Sequence, residues 1–348
     1  MTSADEGVWL GWDIGGVNTK AARLHRLAGA TPRLETLAIP YEIQRDPVAL
    51  PAILETLAGR LGRERHARHA VTMTAELSQA FRTKREGVAF VLDGLTRAFP
   101  ADPIHIYLTD GRFVGAEEAR AEYLAAAASN WVATATLVSH STPDGLVVDI
   151  GSTSTDIVPI VGGRVAATGR TDPERLSTGE LVYTGAVRTP AEALVREVPL
   201  HGGRALVSAE GFATVGDAHV WLGRLRPEDY TAPTADGRAV TRELAGERLA
   251  RVVCGDREML DEAAIEQIAR AIVEAQVELV TDNIRRVARS HPALVKAVVT
   301  GLGDFVAEEA ARGAGLSVDR LSARLGEGAR MAPAAAVVCL LAGEVSAP

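Results

Sequence analysis

Three short runs of alternating apolar residues open the chain, at Val8–Asp13, Thr19–Leu27 and Arg33–Pro40, separated by Gly and small residues. Period-two alternation bounded in this way predicts a three-stranded meander. The spacing then becomes helical from Pro47 to Leu61, with a proline near the first turn, where its missing N–H leaves no partner wanting. A strand is expected at Ala70–Thr74, a helix at Glu86–Phe99, a strand at Ile104–Leu108 and an Ala-rich helix at Glu117–Ala128. The alternation of periods predicts an α/β domain with a mixed sheet.

The meander recurs beyond Asp144, as Val147–Asp149, Ile157–Val161 and Arg164–Thr168, with Gly162-Gly163 at its second turn. Residues 184–210 carry several prolines and glycines and read as loops and short strands. Helices are expected at Gly211–Leu225 and Thr241–Val253. A long amphipathic helix spans Asp261–Arg289, with Ile265, Ile268, Ile272, Val273, Val277 and Val280 near one stripe. A strand at Ala297–Thr300 runs into Gly301-Leu302-Gly303 and a helix at Asp304–Arg312. A last helix, Pro333–Ala342, is expected to pack back on the first domain. The expected division is residues 1–140 as one lobe, joined by residues 333–343, and residues 141–332 as a second lobe with inserted helices and loops.

The 348 residues suit about two domains of ~150 residues each. Hydrophobic residues make up 47% and aromatic residues only 4%, so the cores must be aliphatic. A net charge of −8 argues against a nucleic-acid partner. Two cysteines, Cys254 and Cys339, cannot make a disulfide framework; they suit a reducing compartment and buried packing. The segment MTSADEGVW lacks a signal pattern. No apolar run is expected to reach the ~20 residues of a membrane span, the Ala-rich end from Ala332 to Gly343 being too short. A cytoplasmic protein without a membrane partner is the expectation, and a homo-oligomer is compatible with it.

One device occurs twice. Residues 8–24 read VWLGWDIGGVNTKAARL and residues 146–160 read LVVDIGSTSTDIVPI. Asp13, Ile14, Gly15 and Thr19 align with Asp149, Ile150, Gly151 and Thr155. A tight turn of small residues lets backbone N–H groups face an anion. Gly15, Gly16 and Gly151 would permit close approach, Thr19, Ser152, Thr153, Ser154 and Thr155 would add hydroxyl donors, and Lys20 would add a point charge. Only Lys20, Lys84 and Lys296 are lysines in this chain. Asp13 and Asp149 end their strands. A hydrated Mg²⁺ shared with substrate phosphate, a direct acid/base role, or simple solvation would each account for them. Either loop alone could be an ordinary hairpin; the shared frame favours two halves of one phosphate site. Gly301 and Gly303, leading into a helix, are a third candidate anion contact.

These three segments, in this order, resemble the phosphate-1, phosphate-2 and adenosine loops of the actin/sugar-kinase/chaperone ATPase superfamily. That resemblance implies a two-lobed, ribonuclease H-like α/β fold with a central interdomain cleft. More narrowly, GWDIGGVNTKAA, MTAELSQAFRTKREGV, VVDIGSTSTDIVPI and TADGRAVTRELAGERLARVVCGD resemble the hydantoinase/oxoprolinase-related family tied to tetrahydromethanopterin-linked C1 transfer. Its ether-forming members act in methanofuran and methylofuran biosynthesis. The resemblance implies a diphosphate-eliminating transferase that joins a furanmethanol diphosphate to the phenolic amine γ-glutamyltyramine. It implies Mg²⁺ at Asp13 and Asp149. One phosphate loop would comprise Asp13, Gly15, Gly16, Asn18, Thr19 and Lys20, and the other Asp149, Gly151, Ser152, Thr153, Thr155 and Asp156. Glu76 would face the cleft, with Glu76, Asp149 and Lys20 as catalytic candidates. The large hydantoinase subunits are much longer, which disfavours lactam opening or other amidohydrolase chemistry here. The rivals are an ATP-dependent small-molecule kinase and a non-catalytic ATP-binding regulator; ADP formation, or ligand stabilisation without turnover, would mark them.

Other residues carry competing readings. Glu76 could instead cap the helix after its strand. Arg82, Lys84 and Arg85 could grip an acidic substrate tail or form a solvated face. Asp217 and Asp256 could line the cleft or sit on polar helix faces. His66 and His69 have H-x-x-H spacing without a third ligand, so zinc is disfavoured. Cys254 and His219 lack a metal frame. Trp9, Trp12, Trp131 and Trp221 are expected to pack, and Asn130-Trp131 precedes the crossover as a candidate hinge.

Overall fold

Cross-strand pairing of the first two apolar runs builds the first sheet. A computed structural model describes residues 7–26, 32–63 and 66–344. Strands β1 (Gly7–Ile14), β2 (Asn18–Arg26) and β3 (Arg33–Pro40) form the expected antiparallel meander; the predicted end at Leu27 lies outside the described residues. Helix α1 (Leu50–Arg60) leads to β4 (Arg68–Met73), which pairs parallel to β1. Helix α2 (Lys84–Ala98) returns the chain to β5 (Ile104–Tyr107), parallel to β4, and β6 (Phe113–Val114) closes the edge. The sheet order is β3-β2-β1-β4-β5-β6.

The Ala-rich segment expected as one helix is two, α3 (Ala116–Ala121) and α4 (Tyr123–Ala126), broken where Glu122 leaves helical geometry (φ −95°, ψ 39°). Asn130-Trp131, the candidate hinge, lies in helical structure. It begins a helix absent from the sequence reading, α5 (Asn130–Ser139), whose Trp131 is buried under the Arg175 guanidinium at 4.0 Å. Alternation misses α5 because it is apolar on nearly every face.

The second meander comprises β7 (Gly145–Ile150), β8 (Thr155–Val161) and a shortened β9 (Arg164–Val165). After α6 (Asp172–Thr178), β10 (Leu181–Val182) pairs with the other end of β8. Helix α7 (Ala191–Leu194) precedes a hairpin of β11 (Glu197–Leu200) and β12 (Gly203–Leu206). Helix α8 (Val215–Trp221) is shorter than expected, because a capping box between Thr214 and Asp217 sets its start. Helix α9 (Arg242–Arg251) and the 29-residue α10 (Glu262–Ser290) follow. Strand β13 (Lys296–Thr300), helix α11 (Asp304–Gly313), β14 (Ser317–Arg320), α12 (Ser322–Leu325) and α13 (Ala332–Ala342) complete the chain. The second sheet runs β10-β8-β7-β13-β14, with β9 beside β8. Both sheets therefore repeat one plan, an antiparallel meander extended by a strand from beyond a helix. It is the actin/sugar-kinase/chaperone-ATPase type of α/β fold.

Two compact units result: residues 1–147, 158–177 and 319–348, and residues 148–157 and 178–318. The boundary expected at residue 140 is displaced, because residues 158–177 and 319–332 group with the first unit. Within that unit Leu10, Trp12, Ile14, Val71 and Met73 form a core with Leu50, Leu54 and Leu57 of α1 and Val88, Val91 and Leu95 of α2. Within the second unit Ile265, Ile268, Ile272 and Val273 of α10 pack with Val215, Ala218, Trp221 and Leu249. The helical stretch Ser322–Ala342 does reach membrane-spanning length and apolarity, contrary to the sequence reading. It is 61% buried, and α13 lies against β1, β2, β4 and α5, as a core helix does.

Candidate functional site

In the first unit, β1 ends at Ile14 and the Gly15 amide donates to the Asn18 carbonyl at 3.0 Å, closing the turn. The register sets Asp13 opposite Lys20, and Lys20 Nζ donates to Asp13 Oδ2 at 3.0 Å. The carbonyls of Gly16 and Val17 accept from the amides of Ile43 and Tyr41. A trans peptide directs its N–H opposite to its C=O, so the Val17 amide points away from this support. Asp13 Oδ1, Asn18 Oδ1 and Thr19 Oγ1 are buried without a hydrogen-bond partner. Such orphans need an ion, a water or a ligand. Asp13 pairs with Lys20 and Thr19 with Ile14, so the Thr19 hydroxyl lies on the other face of the hairpin, and it is the Asp13 carboxylate and the Asn18 amide oxygen, both hard donors, that fit hydrated Mg²⁺. Among the described residues no group of three or more His, Cys, Asp or Glu forms a closed metal cage.

The two glycines of this turn differ. A Cβ on Gly15 would meet the Asn18 carbonyl oxygen at 2.7 Å, whereas one on Gly16 would meet nothing within 4 Å. Gly15→Ala should therefore destabilise the fold by about 1–3 kcal/mol. Gly16→Ala should stay within about 0.5 kcal/mol of the parent. Urea unfolding of both variants checks this, and equal midpoints would refute the contrast.

In the second unit the device repeats: the Gly151 amide donates to the Ser154 carbonyl at 3.0 Å. Its support is a segment that the sequence reading did not single out. The amides of Ala186, Val187 and Arg188 donate to the carbonyls of Gly151 and Ser152. Ser152, Thr153 and Ser154 are partly exposed, and Asp149 is 7% exposed. Thr155 is a correction. Its hydroxyl donates to the Thr184 carbonyl at 2.7 Å inside the protein, so it braces the loop and offers no donor to an anion. Gly301 and Gly303 lie directly on this loop's strand. A Cβ on Gly301 would collide with Asp149 Oδ1 and the Ile150 carbonyl, and one on Gly303 would meet Ile150 Cγ2 at 2.6 Å. The Gly303 amide donates to the Ile150 carbonyl, so these glycines serve close packing against Asp149 and Ile150.

Back in the first unit, β4 ends beside the first loop. The Thr74 amide donates to the Ile14 carbonyl at 2.9 Å, and Glu76 follows two residues later. Glu76 is 2% exposed, with Oε2 unpartnered. Oε1 accepts from Lys84 Nζ at 3.4 Å, and the same ammonium reaches Asp172 Oδ2 at 2.5 Å. Burial pushes the Glu76 carboxyl up to about 7 despite Lys84. Burial pulls Lys84 down, but Glu76 and Asp172 outweigh it and hold the lysine charged. Glu76 is no helix cap; Thr83 fills that position, accepting from the Glu86 amide. Arg85 lies over the Tyr123 ring at 3.9 Å, so the basic trio divides between an ion-pair centre, a ring contact and an exposed Arg82.

Other candidates are structural. Asp217 is fully buried in an ion pair with Arg248 at 2.7 Å, neither a lining residue nor a polar-face one. Asp256 accepts from the amides of Glu258 and Met259 in an exposed turn. His69 accepts from Trp12 Nε1 at 3.0 Å and faces Asp102 through Nε2 at 3.1 Å. Both its ring nitrogens are thus engaged, and burial lowers it to about 4. Cys254 is exposed rather than packed, while Cys339 is buried in α13.

A model of the hydantoinase/oxoprolinase family matches residues 68–342, most of the chain. The chain belongs to the hydantoinase/oxoprolinase family. A relative from Methanocaldococcus jannaschii is 35% identical over 302 residues, covering 86% of this chain and 88% of its own. It is the (4-{4-[2-(gamma-L-glutamylamino)ethyl]phenoxymethyl}furan-2-yl)methanamine synthase. A synthase of the same name from Methanococcus vannielii is 34% identical over 165 residues, 47% of this chain and 73% of its own. These relatives are enzymes that make a small molecule. The nucleotide-free structure of an acetone carboxylase superposes with a TM-score of 0.58 at 12% identity, covering 90% of this chain and 68% of that one. At that identity the likeness is one of fold.

Proposed function

We propose that this family member is an ether-forming synthase of furan-coenzyme assembly. It would join a furanmethanol diphosphate to the phenol of γ-glutamyltyramine and release diphosphate. The observation that carries this reading is the 35% identity, over 86% of the chain, to a synthase whose product contains a phenoxymethylfuran unit. Each Asp-Ile-Gly loop, taken by itself, supports it as a turn suited to a phosphate group.

Asp13 in the first loop and Asp149 in the second would each offer a carboxylate to Mg²⁺ carrying water and phosphate oxygens. The metal would supply charge neutralisation on the diphosphate. Lys20 and the loop amides would stabilise the charge that grows on the leaving oxygen. The bond between the furan methylene carbon and the diphosphate oxygen breaks, and its electron pair departs with diphosphate. The furan ring delocalises the positive charge left on the methylene. A phenol oxygen lone pair then forms the new C–O bond, and the phenolic proton passes to Glu76 Oε2, the unpartnered oxygen. Lys84 holds the other oxygen and orients the carboxyl.

The direct test supplies furanmethanol diphosphate, γ-glutamyltyramine and Mg²⁺ and quantifies ether and diphosphate. Equal amounts of both support the synthase; ADP from ATP without ether would replace it with a kinase. Asp149→Asn should slow diphosphate release on the order of 100-fold. Near-normal turnover would end the role given to Asp149.

A further inference from the structure

Gln276 interrupts the apolar stripe of α10. It lies one turn from Ile272 and Val280, both fully buried, and is itself fully buried. A leucine would suit that position better, because a buried amide must find partners for every polar atom. Gln276 finds them. Its Nε2 donates to Thr184 Oγ1 at 3.0 Å and to the Gly185 carbonyl at 2.8 Å. Its Oε1 faces His219 Nε2 at 2.9 Å. His219 has no partner at Nδ1, and burial holds the ring neutral, so Nε2 carries the proton and donates. This donor decides which way the amide points.

The chain of bonds continues to the second loop. Thr184 accepts from Gln276, so its hydroxyl donates onward to Thr189 Oγ1 at 2.9 Å, which also accepts from the Gly185 amide. The Thr184 carbonyl accepts from Thr155 Oγ1. Gly185 is pressed onto the loop: a Cβ there would meet the Ser152 carbonyl carbon at 2.6 Å and collide with the Thr153 amide nitrogen. Nothing softer than backbone lies between Gln276 and the loop's hydroxyl-bearing turn.

We propose that Gln276 is a positioning residue for the second Asp-Ile-Gly loop, holding Thr184 and Gly185 so that Ser152 and Thr153 present their donors to a diphosphate. The inference rests on the reading of that loop as a diphosphate cradle. His219 acts one step further back, by fixing the orientation of the Gln276 amide. A polar network buried in an otherwise aliphatic core has a cost in stability, and fully satisfied it rigidifies what it touches. Here it touches the backbone behind the loop.

The test uses the full chain and magnesium pyrophosphate. Gln276→Met keeps helix propensity and approximate volume while deleting the amide. Thr184→Val deletes the acceptor with little change of shape. Either variant, if folded by circular dichroism and thermal melting, should bind magnesium pyrophosphate about 10- to 100-fold more weakly by calorimetry. In turnover the KM for the diphosphate substrate should rise more than kcat falls. Combining Gln276→Met with Thr155→Val should cost less than the product of the two separate losses, because both act through Thr184. A folded Gln276→Met or Thr184→Val protein with parental pyrophosphate affinity overturns the inference. So do losses that multiply independently. A parent protein that binds no magnesium pyrophosphate removes the cradle reading itself, and the inference with it, which is a different result from parental binding that survives the substitutions.

Discussion

If the proposed ether synthesis is this chain's reaction, Glu76→Gln should lower its rate about 10³-fold while the chain stays folded, as expected for loss of a general base. The amide fills the same space and can still accept from Lys84, but it cannot take a phenolic proton. The pH profile carries the sharper signature. The base must be ionised, so the parent rate rises with pH and levels off above about 7, where burial has moved the Glu76 carboxyl. In Glu76→Gln that limb disappears. Stability moves the other way. The folded chain keeps the Glu76 proton up to about 7, whereas the unfolded chain releases it near 4.5. The contribution is complete below the lower value and lost as pH rises through the upper one. Thermal melts should therefore fall across this window in the parent and flatten in the variant. An unchanged rate, or an unchanged acid limb, removes Glu76 from the chemistry.

Gly301→Ala should destabilise the protein by about 2–5 kcal/mol, combining an overpacked contact with a disfavoured backbone. Gly301 has φ +91°, and its missing Cβ leaves the room that Asp149 Oδ1 and the Ile150 carbonyl occupy. The nearest carbon, the Ile150 carbonyl carbon, would stand 2.8 Å away, and none of these atoms is the free end of a flexible side chain except the carboxylate. Relief can come only by pushing Asp149 aside or by separating β13 from β7. Gly162→Ala separates the two causes. Gly162 also has positive φ, at +58°, but nothing stands within 4 Å of its Cβ position. It should cost about 1 kcal/mol. Urea unfolding of the two variants, with magnesium pyrophosphate titration of each, checks this. Equal unfolding midpoints would show that close packing on Asp149 is not what requires glycine at 301.

Much of the architecture was legible because strand and helix periods are local. The alternating runs at residues 8–40 and the stripe of α10 named their own elements, and the repeated Asp-Ile-Gly frame located both turns. Elements without periodicity escaped: α5 is apolar on most faces, α6 is short, and the Ala-rich segment hides the break at Glu122. Two local signals were left unread: the capping box at Thr214 and Asp217 that starts α8, and Gln276, a polar residue in an apolar stripe.

The chain's own pattern determined the duplicated meander, its family and the positions of Asp13, Lys20, Glu76 and Asp149, since each depends on neighbours a few residues away. The partnerships were decided in three dimensions. Lys84 meets Asp172 across 88 residues, and Gln276 meets Thr184 across 92. Thr155, indistinguishable from its neighbours in the string STST, turns its hydroxyl inward to Thr184. Hydrogen-bond direction and burial depend on which distant backbone arrives beside a residue, and that is a property of the packed topology rather than of local spacing.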